Sequence, residues 1–266
     1  MTEAPEKIIS VVTGATGAIG EAIARGLAKH PTYEVVLIAR NEAKAQKATQ
    51  RIIQATGNQQ VSYLLTDLSR RADIYALADQ WSGPLHVLVN NAAASPRQRQ
   101  ETPEGIECQF AVNVLSYFWM TEAFTDILRE SAPARIVNVA SYWAGDLDIN
   151  DLEFNRRPYH NGTAYRQSKQ ANRMLTVAFA ERLKDVEISV NACHPGDVSS
   201  TLSNDLGFGG HESPDQGAAT PVWLATESIG IEKTGKYFSH SREERCHFGE
   251  NKQAVEELFQ ACSKYA

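Results

Sequence analysis

Short apolar runs alternate along this chain with longer stretches in which apolar residues recur at helical spacing. The apolar runs predict seven strands, at residues 8–12, 33–39, 61–65, 85–89, 135–139, 186–193 and 235–239. The helical spacing predicts helices at residues 18–27, 42–55, 70–81, 106–130, 163–185, 216–226 and over the last 15 residues. Continuous apolar runs are typical of parallel strands that are covered on both faces. The alternation therefore predicts an α/β protein with a single doubly wound, Rossmann-type parallel sheet and helices on both faces.

No break in composition and no internal repeat divides the chain, so residues 1–266 are expected to form one dinucleotide-binding catalytic domain. Two irregular segments interrupt the alternation, at residues 141–162 and at 197–215. The second is rich in Gly, Ser and Asp. We expect both segments to be substrate loops and interpret the second as a loop or a lid.

The first predicted strand ends in a turn with three glycines, Gly14, Gly17 and Gly20, in the sequence VVTGATGAIG. The next helix begins at Ala18, so its first turn is almost bare of side chains. Glycines in such a turn permit positive φ and let a pyrophosphate approach the free N–H groups of the helix N-terminus. The alternative is that they serve only close packing of the helix on the strand. We interpret the turn as a dinucleotide-binding site.

Polar or glycine-containing sequences follow six of the predicted strands. They are Thr13-Gly14, Arg40, Asp67, Asn90-Asn91, Ser141 and Pro195-Gly196. Ligands of open α/β sheets bind beyond the carboxyl ends of the strands. The coincidence of these sequences with strand ends therefore predicts one ligand cleft along that edge.

Arg40 lies 20 residues after Gly20, at the end of the second predicted strand. An acidic residue at this place hydrogen-bonds the ribose 2′-hydroxyl of NAD, whereas an arginine favours the 2′-phosphate of NADP. No Asp or Glu occupies residues 37–41. The predicted coenzyme is NADP(H), and the alternative is that Arg40 is a solvent-exposed arginine without a ligand.

Tyr165 and Lys169 are four residues apart in a predicted helix, so their side chains project from one face. Ser141 follows the fifth strand and is expected at the same edge of the sheet. A phenol with its ordinary pKa of about 10 is a poor base at neutral pH. We expect the Lys169 ammonium and a nicotinamide cation to lower the pKa of Tyr165 by favouring the phenolate. Asn113, in the helix predicted at 106–130, is interpreted as a proton-relay or lysine-positioning residue; the alternative is a polar helix residue of no special role.

Composition and charge argue against several classes of binding partner. The net charge of −6 and the lack of a basic run argue against nucleic-acid binding. No apolar stretch is long enough to span a membrane, and the polar N-terminus MTEAPEK contains no signal-peptide core. The four cysteines form no CxxC pair, which is typical of reduced thiols in a cytoplasmic protein. Cys193-His194 and Cys246-His247 are not interpreted as metal ligands, because adjacent residues on a strand point to opposite faces, and no metal is predicted.

Taken together, these motifs resemble the short-chain dehydrogenase/reductase family. The resemblance runs from TGATGAIG through DL at 67–68, NNAA at 90–93, Asn113, Ser141, YRQSK at 165–169 and PG at 195–196. It implies four catalytic roles: acid/base for Tyr165, nicotinamide-ribose binding for Lys169, carbonyl orientation for Ser141 and a water relay for Asn113. It also implies coenzyme contacts from Gly14, Thr16, Gly17, Ile19, Arg40, Asn41, Asp67, Leu68, Asn91, Ala92, Tyr165, Lys169, Pro195, Gly196, Val198 and Ser200.

Two departures from the family pattern affect the interpretation. NNAA replaces the usual NNAG, and 24 residues separate Ser141 from Tyr165, with an insertion around DLDINDLEFNRR. The long gap and GKYFS at 235–239 resemble the retinol-dehydrogenase-like branch, whose members act on lipophilic carbonyls and alcohols. Tyr142, Trp143 and Tyr159 flank the insertion, where they line an apolar pocket or serve ordinary packing.

The sequence therefore predicts an NADP(H)-dependent oxidoreductase that moves hydride between nicotinamide and a bulky, mostly apolar carbonyl or alcohol. One alternative is a non-catalytic NADP-binding sensor or scaffold, although the chain keeps both Tyr165 and Lys169. Another is C=C reduction or epimerisation on the same fold. A homo-oligomer is plausible because helices flanking such sheets often pair.

Overall fold

The computed structural model describes residues 7–266 and contains one eight-stranded sheet. The strands are β1 (Ile8–Thr13), β2 (Tyr33–Ala39), β3 (Val61–Leu65), β4 (Val87–Asn90), β5 (Ala134–Val139), β6 (Ile188–His194), β7 (Tyr237–Ser239) and β8 (Arg242–Glu244). Their order is β3-β2-β1-β4-β5-β6-β7-β8, and every neighbouring pair is parallel except β7 and β8. The predicted doubly wound, Rossmann-type sheet is confirmed. The expectation for the N-terminus rests largely on residues 1–6, which lie outside the described residues.

Helices connect the strands and cover both faces of the sheet. They are α1 (Ala18–Ala28), α2 (Glu42–Thr56), α3 (Arg71–Asp79), α4 (Ser116–Glu130), α5 (Asn161–Leu183), α6 (Thr201–Asp205), α7 (Pro214–Thr226), α8 (Ile229–Glu232) and α9 (Lys252–Ser263). A π-helix covers Phe110–Leu115, and 3₁₀ turns cover Ile149–Asp151, Lys184–Val186 and His247–Gly249. Within residues 7–266, no helix combines the length and the apolar character needed to span a membrane.

Two apolar cores lie on opposite faces of the sheet. Successive residues of a strand point to opposite faces, and in β4 Leu88 packs with the core beneath α3, α4, α5 and α9, whereas Val87 and Val89 pack with α1, α2 and α7. All three side chains are buried. This double burial explains why the strands are continuously apolar in sequence rather than alternating.

The helix predicted at residues 106–130 is wrong in its first part. Glu107 forms an isolated antiparallel bridge with Glu101, and the chain then passes through the π-helix before α4 begins at Ser116. The apolar spacing of a π-helix differs from that of an α-helix by one residue per turn. A single turn of this kind leaves too weak a signal to recognise in sequence.

Two further features of the sheet differ from prediction: the start of the sixth strand and an additional edge strand. The sixth strand starts at Ile188 instead of Val186, because Lys184–Val186 form a 3₁₀ turn and Glu187 has φ of 51°. The strand β8 was missed. Its three charged residues are all exposed and pair only with β7 at the sheet edge, so they have no apolar pattern.

Candidate active site

The turns that follow β1 to β6 lie in a row along one edge of the sheet. From the β3 side the row contains Asp67, Arg40, Gly14, Asn91 and Ser141, and it ends at Pro195 after β6. Strand order alone produces this row, because parallel strands end at the same edge. The polar sequences that were predicted to meet at one cleft are therefore adjacent in space.

Different structural constraints explain the three glycines of the first turn. Gly14 has φ of 64°, and a Cβ at this position would lie 2.8 Å from the Cα of Ala92. A Cβ on Gly20 would collide with the Gly14 carbonyl oxygen and with the side-chain nitrogen of Asn91. Close packing within the fold is therefore sufficient to explain both residues.

Gly17 is not explained by packing. It is exposed and has φ of −85°. Apart from its two chain neighbours, no atom of the described residues would lie closer than 3.4 Å to a Cβ at this position. Gly17 is also the N-cap of α1, and no side chain of residues 7–266 caps that helix end. Free N–H groups and a bare Cα beside open space fit the approach of a pyrophosphate.

Thr13 and Asn91 join the ends of β1 and β4. Thr13 Oγ1 accepts hydrogen bonds from the main-chain N–H groups of Asn91 (2.8 Å) and Ala92 (3.1 Å), and Asn91 Nδ2 donates to the Thr13 carbonyl (2.9 Å). The Asn91 side chain is therefore held by the fold. Ala92 is buried against Gly14, whereas Ala93, the residue that departs from the NNAG pattern, is exposed and has room for its methyl group.

At the ends of β2 and β3, the predicted coenzyme contacts divide into two kinds. Arg40 is exposed, and its guanidinium has no hydrogen bond or ion pair with another residue in the described range. Asp67 Oδ1 accepts from the N–H (3.0 Å) and hydroxyl (2.7 Å) of Ser69. Asn41 caps α2 by accepting from Lys44 N–H (2.9 Å), and Leu68 is buried in the core. The Arg40 side chain therefore remains available to a ligand, whereas the side chains of Asn41 and Leu68 already serve the fold.

Ser141, Tyr165 and Lys169 meet beside the end of β5. Tyr165 and Ser141 line one cleft, and Ser141 Oγ accepts from Trp143 N–H (3.0 Å). Lys169 is 2 % exposed and donates from Nζ to the Val139 carbonyl (2.9 Å). Its Nζ lies 5.6 Å from the centre of the Tyr165 ring. The helical spacing of Tyr165 and Lys169 thus places both groups at the strand end where Ser141 was expected.

In the ligand-free chain the pKa of Tyr165 is shifted in the direction opposite to that expected with a nicotinamide cation beside it. Burial raises the pKa of Tyr165 to about 12, although the nearby Ser141 hydroxyl lowers it in part. Burial also lowers the pKa of Lys169 to about 7. An ammonium that is itself destabilised by burial is a weak source of positive potential. The phenol is therefore protonated at neutral pH.

Asn113 lies in the π-helix and its side chain is fully engaged. Oδ1 accepts from Ala94 N–H (2.7 Å), and Nδ2 donates to the Ala94 carbonyl (3.0 Å), Ser168 Oγ (3.2 Å) and Gln109 Oε1 (3.3 Å). These bonds tie the segment after β4 to α5 next to Lys169. The side chain therefore acts as a clamp between these two segments.

A cleft of about 280 Å³ opens beside Ser141 and Tyr165. Besides Tyr165, five predicted coenzyme contacts line it: Ile19, Pro195, Gly196, Val198 and Ser200. Tyr142 and Trp143 line it too, as the pocket interpretation required. Tyr159 does not, because its hydroxyl donates to the Pro96 carbonyl (2.7 Å) and its ring packs on Phe154.

The lining residues that sequence reasoning did not single out include His194, Leu202, Leu206 and Phe208. The three apolar residues lie in a polar loop with no periodicity, so no sequence pattern marked them. His194 is 6 % exposed, packs edge-on against Tyr142, and its Nδ1 has no hydrogen-bond partner within residues 7–266. Burial lowers the pKa of His194 to about 4, so the ring is neutral at neutral pH.

The segment that follows Gly196 closes one side of the cleft. Its ends are joined, because Val198 bridges Glu212 and Glu212 N–H donates to the Asp197 carbonyl (2.9 Å). Phe208, near the tip, contacts Trp143 edge-on with ring centres 5.5 Å apart. The loop thus forms a wall against the 141–162 segment.

All four cysteines carry free thiols, and the described residues contain no group of three His, Cys, Asp or Glu side chains able to hold a metal ion. Cys193 packs in the core beneath α1 and α7, whereas the neighbouring His194 contacts Tyr142.

Comparison with known proteins agrees with this geometry. The profile of the family described as short chain dehydrogenase matches residues 8–207. This chain belongs to the short-chain dehydrogenase family. The family comprises oxidoreductases that use a nicotinamide coenzyme and act on alcohol and carbonyl groups.

Several curated relatives of this short-chain dehydrogenase are named retinol dehydrogenases. Human retinol dehydrogenase 11 is 36 % identical over 250 residues (88 % of this chain, 77 % of the relative), and mouse retinol dehydrogenase 12 is 34 % identical over 249 residues (88 % and 78 %). A probable oxidoreductase of Streptomyces antibioticus is 34 % identical over 266 residues (92 % and 88 %).

Solved structures show the same fold. The Pseudomonas aeruginosa RhlG/NADP active-site complex superposes with a TM-score of 0.71 and 26 % identity, covering 89 % of this chain and 96 % of that one. A protein from Mycobacterium paratuberculosis gives a TM-score of 0.81 at 24 % identity, covering 97 % of this chain and 93 % of the other.

Proposed function

We propose that this short-chain dehydrogenase is an NADP(H)-dependent oxidoreductase that transfers hydride between nicotinamide and the carbonyl or alcohol of a bulky, mostly apolar small molecule. The observation that carries the proposal is that Tyr165 and Ser141 lie together at the wall of an aromatic-lined cleft. A hydroxyl pair of this kind suits a substrate oxygen that gains a proton while its carbon gains a hydride.

The residues have distinct roles in this proposal. When bound, the coenzyme supplies the hydride. Tyr165 donates its phenolic proton to the carbonyl oxygen, and the Ser141 hydroxyl orients that oxygen. The high pKa of the phenol keeps it protonated at neutral pH and therefore suits the acid role in carbonyl reduction. Lys169 binds the nicotinamide ribose, and a water relay at Asn113 returns a proton to Tyr165.

The preference for NADP(H) is supported by Arg40. Its guanidinium is exposed at the end of β2 without an acidic partner in the described part of the chain, and no Asp or Glu lies at residues 37–41. A guanidinium binds a phosphate dianion through charge-assisted, bidentate hydrogen bonds. The similar RhlG structure is an NADP complex, which is consistent with this choice.

The apolar substrate class is supported by the walls of the cleft. Trp143, Leu202, Leu206 and Phe208 contribute apolar surface to the cleft. Names of curated relatives refer to retinol, a lipophilic alcohol. We extend this only to the chemical class: an aromatic or branched aliphatic ketone, aldehyde or alcohol.

The test is a steady-state assay of NADPH oxidation with a panel of aromatic and aliphatic ketones and aldehydes. Tyr165→Phe keeps the ring but removes the proton donor, so kcat should fall by about 10²–10⁴-fold while NADPH still binds in a fluorescence titration. Tyr63→Phe, on β3 away from the cleft, is the matched control and should retain wild-type turnover. Full turnover by Tyr165→Phe would exclude the mechanism.

A further inference from the structure

A chain of hydrogen bonds joins the C-terminal end of the protein to the segment that begins the π-helix. The Tyr265 hydroxyl donates to Glu153 Oε1 (2.6 Å), and Glu153 Oε2 accepts from the main-chain N–H of Glu107 (3.0 Å). Glu153 belongs to the 141–162 segment, where the sequence placed the insertion. The C-terminus, the insertion and the start of the π-helix are therefore connected through one carboxylate.

The side chain of Glu107 continues this connection into the π-helix. It is 1 % exposed, and its two carboxylate oxygens accept from Gln109 N–H (2.9 Å) and Phe110 N–H (2.7 Å). These are among the first N–H groups of the helical segment, which lack partners within the helix. Glu107 thus fixes where the segment begins. A buried carboxylate bond to main-chain N–H groups is among the stronger hydrogen bonds in a protein.

Tyr265 also contacts the π-helix and the helix α4 directly. Its ring packs edge-on against Phe110, with centres 5.3 Å apart, and its main-chain oxygen accepts from Trp119 Nε1 (3.0 Å). Phe110 is the first residue of the π-helix, and Trp119 lies in α4 just beyond its end. One residue therefore contacts both sides of the junction at which the π-helix becomes an α-helix.

The register of this junction sets the position of Asn113. Asn113 donates to Gln109 Oε1 one turn earlier and to Ser168 Oγ on α5, next to Lys169. A π-turn is intrinsically less favourable than α-helix and persists where surrounding contacts require it. Contacts that hold the turn in place consequently hold Asn113 against the helix that carries Tyr165 and Lys169.

We propose that Tyr265 and Glu153 are positioning residues that keep the π-helix, and with it Asn113, in register with the catalytic residues of α5. The effect on turnover rests on the proposed function of this site. Neither residue lines the cleft beside Tyr165, so both act through the helix and not by contact with the substrate.

The test compares Tyr265→Phe with a matched variant elsewhere. Tyr265→Phe keeps the ring contact with Phe110 but removes the hydrogen bond to Glu153. Tyr75→Phe removes a similar bond, from Tyr75 hydroxyl to Glu122 (3.4 Å), between α3 and α4. Amide hydrogen exchange of residues 110–115 and the steady-state kcat and KM for NADPH are measured for each.

In Tyr265→Phe we expect amide exchange of residues 110–115 to become several-fold faster. We expect kcat to fall about tenfold while the KM for NADPH stays within about twofold, since small displacements of catalytic groups reduce turnover steeply. Tyr75→Phe should change none of the three quantities. The Tyr265→Phe/Glu153→Gln double variant should be no slower than the slower single variant, because both changes interrupt one path.

Unchanged kcat in Tyr265→Phe overturns the proposal, and so does an equal loss in Tyr75→Phe. A parallel rise of KM also overturns it, because a general loosening of the fold would weaken coenzyme binding as well. If the wild-type protein reduces no carbonyl, the proposed function fails. The exchange rates of residues 110–115 then still decide whether Tyr265 holds the π-helix.

Discussion

Lys169 should make the ligand-free protein less stable at low pH than at high pH. Burial lowers its folded-state pKa from 10.5 to about 7. Between these two values the unfolded chain binds a proton that the folded chain has released, so the free energy of unfolding rises with pH. Below about pH 7 both states are charged, and the full cost of burying the ammonium is present.

The magnitude follows from the size of the shift. The difference between the two pKa values corresponds to about 5 kcal/mol below pH 7. At pH about 9.5 only about 1 kcal/mol of that cost remains. The hydrogen bond from Nζ to the Val139 carbonyl offsets about 1 kcal/mol of it at every pH.

Replacing Lys169 by Met keeps an unbranched chain of similar length and removes the charge. At pH about 6 the free energy of unfolding of the variant should exceed that of wild type by about 3–4 kcal/mol. This difference should decrease by about 3 kcal/mol between pH about 6 and pH about 9.5. The assay is urea unfolding of the ligand-free protein at several pH values. Taking the difference in unfolding free energy between variant and wild type removes the pH dependence that comes from groups present in both proteins.

Lys47→Met is the control, because Lys47 is exposed on α2 and its replacement should give a difference that does not vary with pH. The reasoning is refuted if the gap between Lys169→Met and wild type is constant from pH about 6 to 9.5. A wild-type protein that is more stable than Lys169→Met by the same amount throughout this range would mean that the fold stabilises the ammonium.

Two further predictions concern the coenzyme. Gly17→Ala should change the free energy of unfolding by less than about 0.5 kcal/mol but weaken NADPH binding in a fluorescence titration. Gly20→Ala, by contrast, should destabilise the fold by about 1–3 kcal/mol, because its Cβ would overlap the Gly14 carbonyl. Wild-type NADPH affinity in Gly17→Ala would contradict the phosphate-binding role of that turn. Arg40→Asp should shift the ratio of kcat/KM values from NADPH toward NADH, since it exchanges a phosphate-binding cation for a carboxylate that suits a ribose 2′-hydroxyl. An unchanged ratio would remove Arg40 from coenzyme selection.

The sequence was informative wherever the signal is local and repeated. Continuous apolar runs between helical stretches predicted the parallel sheet, and the strand Tyr33–Ala39 was predicted with its observed bounds. Because parallel strands end at one edge, the residues after each run, such as Asp67 and Ser141, could be assigned to a common cleft from their places in the sequence alone. The four-residue spacing of Tyr165 and Lys169 likewise places them on one helix face.

Tertiary structure alone decided the features that depend on contacts between distant segments. The π-helix at Phe110–Leu115 is fixed by Glu107, Glu153 and Tyr265, which lie far apart along the chain. Tyr142 and Tyr159 were equivalent in sequence, yet only Tyr142 reaches the cleft, since the hydroxyl of Tyr159 bonds to Pro96.

The pKa of Tyr165 shows the same division most clearly. Sequence identified the phenol and the neighbouring amine, and a lowered pKa was expected from the Lys169 ammonium together with a nicotinamide cation. In the folded chain both groups are buried, which raises the pKa of Tyr165 and lowers that of Lys169. Spacing along a helix determines which groups meet, whereas the amount of water removed around them depends on every element that packs over the site.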